Sequence, residues 1–70
     1  MEAQERMILN HMREHKSITA LEALNEYRCF RLAARINDLR KLGHNIITEM
    51  VETEYGKRVA EYYLINEAKQ

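Results

Sequence analysis

The sequence predicts an α+β fold in which three helices are followed by a two-stranded β-hairpin. Three observations predict it. Apolar residues recur at helical spacing through residues 2–42, then give way to a dense run of branched and aromatic residues between 46 and 65. A helix-start signal, Thr19-Ala20-Leu21-Glu22, and a helix-stop signal, Gly43, punctuate the helical part. The one other glycine, Gly56, falls inside the β-rich tail, where a hairpin would turn.

The first helix is expected over residues 2–15. Ile8, Leu9 and Met12, with Gln4 or Glu5 one turn earlier, share one face, and Arg6, Arg13 and Glu14 take the other. His11 and His15 are four apart on this helix, but two histidines without a third ligand do not make a metal site, and no metal or cofactor is expected. Ser17-Ile18 reads as a short connection, at most a single bridge of strand.

The second helix is expected over 19–26. Thr19 and Glu22 have the spacing of a capping box, in which each side chain satisfies the other's backbone N–H. Ile18 precedes the cap and is placed to pack on Ala23, while Leu21 and Leu24 are expected to face the core. The third helix is expected over 30–42, with Cys29, Leu32, Ala33, Ile36 and Leu39 as its apolar stripe. Gly43 suits the left-handed residue beyond its end, and Arg40 and Lys41 complement the dipole of the last turn. His44 reads as a solvated loop residue.

The hairpin is expected over 46–65, with strands at 46–52 and 58–64 and a type I turn that places Gly56 in a bulge. Ala60, Tyr62 and Leu64 are read as the inward set of the last strand, leaving Val59, Glu61, Tyr63 and Ile65 outward. That strand is read as an edge, where Tyr63 and Ile65 invite a partner, a second copy of the chain or another protein. The first helix is the other candidate surface for a homodimer.

This order of elements is that of a winged helix-turn-helix, expected here as one domain over 1–70. The net charge is zero, from 11 Lys and Arg against 11 Asp and Glu, but the charge is unevenly placed. Residues 28–41 hold Arg28, Arg31, Arg35, Arg40 and Lys41 against Asp38 alone. Residues 43–56 hold only Glu49, Glu52 and Glu54, and Lys57 and Arg58 follow them. A local field of this kind steers a polyanion even when the whole chain is neutral.

The composition excludes other classes. The single cysteine, Cys29, cannot form an intramolecular disulfide and reads as a small buried residue. No stretch is apolar for long enough to span a bilayer, and the opening MEAQER lacks the features of a signal peptide, so a cytoplasmic protein without membrane contact is expected. No glycine-rich nucleotide loop or Ser/His/Asp grouping is present, and Glu52 and Glu54 on an exposed ribbon lack the pocket that tunes a general acid. An enzyme is not expected.

The stretch TALEALNEYRCFRLAARINDLRKLGHNI, with the later YGKRVAEYYL, resembles the small helix-turn-helix domains common in bacteriophage and prophage genomes. The run from Cys29 to Ile36 is its most specific part. The resemblance implies a DNA-binding protein, a transcriptional regulator or an excisionase-like architectural factor. On the residues themselves, Arg31, Ala34, Arg35 and Asp38 are expected to project from the third helix toward the major groove of double-stranded DNA, with Arg31 and Arg35 able to grip guanine or phosphate. Arg28 in the turn, and Lys57 or Arg58 on the wing, are placed for phosphate. Asn37 reads adenine only if its azimuth turns it outward. The competing reading is a winged helix that binds a host or phage protein instead of DNA, which the neutral charge and the acidic first strand of the hairpin favour.

Overall fold

A computed structural model describes residues 2–66. Its elements run α1 (Glu2–His15), β1 (Ser17–Thr19), α2 (Ala20–Tyr27), α3 (Leu32–Lys41), β2 (Asn45–Glu52) and β3 (Arg58–Asn66). Three helices pack against one face of a three-stranded antiparallel sheet of order β1-β3-β2.

The core is built where the periodicity places it. Ile8, Leu9 and Met12 of α1, Ile18 of β1, Ala23 of α2, Leu32, Ile36 and Leu39 of α3, and Ile46 of β2 form one buried cluster that also takes in Cys29. Tyr62 and Leu64 of β3 pack on it, as does Tyr27. His11 is also buried, and its Nδ1 lies 2.9 Å from the Tyr27 hydroxyl, so it links α1 to α2. No cluster of three metal-ligating side chains occurs among the described residues.

Local chemistry sets the element boundaries. Lys16, at φ 73°, turns the chain out of α1 and into β1. The capping box is formed: Thr19 Oγ1 accepts from the Glu22 N–H at 3.3 Å, and Glu22 Oε1 accepts from the Thr19 N–H at 2.9 Å. Arg28 closes α2 in the left-handed region at φ 57°, its N–H donating to the Leu24 carbonyl at 3.0 Å. A Schellman turn closes α3. The Gly43 N–H donates to the Arg40 carbonyl at 3.0 Å and the His44 N–H to the Leu39 carbonyl at 3.2 Å, with Gly43 at φ 102°. At the wing tip the Gly56 N–H donates to the Thr53 carbonyl at 2.9 Å, with Gly56 left-handed at φ 81°.

Several expectations are corrected. β3 is the central strand, not an edge: Tyr63 lies opposite Ser17 on one side and Ile47 on the other. The edge proposed for a partner at Tyr63 is therefore already occupied, although Ile65 beyond it is exposed. β1 is a strand of three residues, held by the fully buried Ile18 and by the Ser17 hydroxyl donating to Glu61 at 2.6 Å. Leu21 is exposed and Leu24 half-buried, because α2 turns Ala23 to the core and Leu21 stands about 160° around the helix from it. Ala33 is exposed as well, so it leaves the apolar stripe of α3. That helix starts two residues later than the pattern predicts, which puts Cys29 and Phe30 in the turn. His44 is buried, since the Schellman turn folds it back into a crevice shared with Leu9 and Leu39.

Candidate nucleic-acid interface

The helix-turn-helix consists of α2, the turn at residues 28–31 and α3. Leu32, Ile36 and Leu39 bury one side of α3, which leaves Ala33, Asn37, Arg40 and Lys41 exposed, with Arg31 exposed at the helix entry. Ala34, Arg35 and Asp38 are half-buried on the flank. Of the four residues expected to project from this helix, Arg31 is the one that stands clear. Asn37 does have the outward azimuth that adenine reading requires.

Arg35 is held in place. Its Nη2 lies 3.2 Å from Asp38 Oδ2, one helical turn on, and its Nε is buried without a hydrogen-bond partner. The two side chains are 28% and 36% exposed, so the pair is worth surface value, roughly 0–1 kcal/mol. Asp38 thus sets the direction of Arg35 and partly neutralises it.

Arg40 is also committed to the fold. Its Nε and Nη2 donate to the Ile46 carbonyl at 3.1 and 2.9 Å, and Nη2 donates to Thr48 Oγ1 at 3.0 Å. Dipole complementarity is therefore the smaller part of what this arginine does.

The other cations stand apart. Arg28 and Arg31 in the turn, and Lys57 and Arg58 at the wing, are exposed, and none has an ion-pair partner among the described residues. The wing geometry is fixed by Thr53, whose Oγ1 accepts from the N–H groups of Tyr55 and Lys57 at 3.3 Å each. Arg58 begins β3 opposite Glu52, the last residue of β2.

The acidic side of the ribbon lies further along it. Glu49 faces Glu61 across β2 and β3, a like-charge pair. Glu61 is occupied by hydrogen bonds from the Ser17 and Tyr63 hydroxyls, at 2.6 and 3.1 Å. The bond to Glu61 is the main reason the Tyr63 phenol titrates above its usual range, with desolvation and the charges of Glu61 and Glu49 adding to it. The Tyr27 phenol is raised chiefly by burial, and then by the charges of Glu26, Glu14 and Glu22.

A feature the sequence reading missed lies between the turn and the wing. Leu21, Leu24, Phe30, Tyr55 and Val59 line an apolar groove of about 900 Å³, and Leu21, Phe30 and Tyr55 are among the most exposed large apolar residues described. One signal of it was present. Phe30 falls outside the Cys29, Leu32, Ile36, Leu39 spacing, so the periodicity never gave it a place in the core.

Three helices, a β1 strand inserted between the first two, and a ribbon folded back beside the third helix define a winged helix. The chain belongs to the winged helix-turn-helix domain family, whose profile matches residues 3–67, and domains of this class are in general DNA-binding modules. No curated protein and no solved structure matches the chain at a significant level. No described helix is long and apolar enough to cross a membrane.

Proposed function

We propose that this domain binds double-stranded DNA without catalysing a reaction on it, with α3 in the major groove and the turn and wing on the flanking backbone. One observation carries the reading. In a chain of zero net charge, four exposed cations, Arg28, Arg31, Lys57 and Arg58, lack ion-pair partners among the described residues and lie in the turn before α3 and at the wing. Groups placed this way release counterions when they meet phosphate.

In this reading Arg31 and Asn37 reach base edges, where arginine pairs with guanine and asparagine with adenine. Ala34 offers a small apolar surface beside them. Arg35 reaches the groove only with the N–H groups that Asp38 leaves, and Asp38 orients it. Arg28, Lys57 and Arg58 take phosphate. Lys41, exposed in the last turn of α3, adds a further backbone contact. The biological role that fits is a cytoplasmic phage or prophage regulator, or an excisionase-like architectural factor.

The test is fluorescence anisotropy with a labelled mixed-sequence duplex over a series of salt concentrations. Engagement of three to four phosphates gives a log–log slope of about −3. Binding that ignores salt, or no binding at low salt, would contradict the proposal.

A further inference from the structure

We infer that the groove between α2, the turn and the wing is the contact surface of a twofold homodimer, in which each chain seats Tyr55 of its wing tip in the groove of the other. The inference stands independently of the DNA-binding reading.

A twofold contact uses the same patch on both chains, so that patch must supply a projection and a recess together. This face has both. The groove holds about 900 Å³, with Leu21, Leu24, Phe30 and Val59 along it. Tyr55 lines it as well, yet is 84% exposed, so its ring stands on the rim and leaves the space open. Single exposed apolar residues are ordinary, but here Leu21 at 65% and Phe30 at 83% exposure converge with Tyr55 on one concavity. The projection is held in place before any partner arrives. The Thr53 N–H donates to the Lys57 carbonyl at 2.7 Å, and Thr53 Oγ1 accepts from the N–H groups of Tyr55 and Lys57 at 3.3 Å each. A preformed tip loses little freedom when it docks.

Charge selects a second copy as the occupant. The lining holds one cation, Lys57, and one acid, Glu54. Both belong to the wing tip, and neither has an ion-pair partner among the described residues. A face with net charge repels its own copy. One acid and one cation instead pair crosswise about a twofold axis, Lys57 with the partner's Glu54 and Glu54 with the partner's Lys57. The neighbouring charges in the chain are balanced too, Arg28, Arg31 and Arg58 against Glu22, Glu26 and Glu52. A polyanion or a strongly charged protein segment finds no such match here. A second copy brings the ring, the acid and the cation on one face. Lys57 is also one of the cations assigned to phosphate above, so the pair covers part of the proposed DNA face.

The experiment is sedimentation velocity of the full chain without nucleic acid, from micromolar to millimolar concentration. The mean mass is expected to rise from one chain toward two. Tyr55→Ser and Leu21→Asp, both at exposed positions, are expected to keep the chain monomeric, with thermal melting as the check on their folds. Charge reversal reads the crosswise pairing. Glu54→Lys and Lys57→Glu each set like charges against one another across the axis, and each is expected to weaken self-association about tenfold. An equimolar mixture of these two variants restores opposite charges, and the dimer returns. A chain that stays monomeric at millimolar concentration would overturn the inference. So would a dimer that survives both Tyr55→Ser and Leu21→Asp, since it would lie on another surface. A mixture that associates no better than either charge variant alone would also overturn it, and would leave the groove to a different protein.

Discussion

Arg40 ties α3 to the ribbon: its Nε and Nη2 both donate to the carbonyl oxygen of Ile46, at 3.1 and 2.9 Å. The angle at which α3 stands over β2 is therefore fixed by a side chain as well as by the core. Arg40→Ala strips a partly buried carbonyl of its donors, and a buried acceptor left unsatisfied costs about 1–3 kcal/mol. Urea denaturation is expected to show a loss in that range, with a melting point lower by about 4–8 °C per kcal/mol. Arg40→Lys recovers only part of it, because an ammonium cannot reproduce the planar fork. The salt slope of DNA binding is expected to stay unchanged in both variants, since the Arg40 guanidinium is engaged by the Ile46 carbonyl and Thr48.

Arg28 separates stability from binding. It sits at φ 57°, where a side chain costs roughly 1–2 kcal/mol and glycine does not. Arg28→Gly is expected to hold or raise the melting temperature while weakening DNA binding and reducing the salt slope by about 0.9. A variant that melts earlier and binds as before would reverse the roles assigned to this residue.

The rotation of two helices is tested by a matched pair of substitutions. Ile36 is fully buried, so Ile36→Asp places an unpaired charge in the core and unfolds the domain. Leu21 is 65% exposed, so Leu21→Asp leaves a cooperative melt. Circular dichroism melting distinguishes the two. Equal damage from both would mean that α2 is rotated from its observed position.

Alkaline pH reports on Tyr63. Its phenol is raised above the usual value of 10.0, first through its hydrogen bond to Glu61, so the folded state holds the proton more tightly than the unfolded chain does. The stabilisation is fully present below the unfolded value and is lost as pH rises through the folded one. Melting temperatures measured from neutral pH to beyond the tyrosine range are expected to fall at the alkaline end. Tyr63→Phe removes part of that fall, and Tyr27, raised chiefly by burial, contributes to what remains.

Features that rest on neighbours in the chain were legible in the sequence. The Thr19–Glu22 box, the Leu32, Ile36, Leu39 stripe, the Gly43 helix stop and the Gly56 turn each need only a few adjacent residues to be recognised. Features that rest on distant residues were not. Nothing near Ser17 announces Tyr63 as its partner, so β1 read as a bridge and β3 as an edge. In α2, eight residues with Leu21 and Leu24 on either side of Ala23 leave the azimuth open, and it is Ala23 that the fold turns into the core. The outward cations were legible as a charge cluster, but the cluster could not show that Asp38 holds Arg35 and Ile46 holds Arg40. The groove depends on the wing folding back beside the turn, which no local pattern encodes.

The most direct test of the account is an amide-resolved NMR titration of the full chain with a mixed-sequence duplex, at low and then moderate salt. Shifts are expected to concentrate in residues 28–41 and 56–58 and to shrink as salt rises, with α1 and the cross-strand pair Glu49 and Glu61 unmoved. Shifts centred on the outer sheet face, or none at either salt concentration, would contradict a groove-reading winged helix.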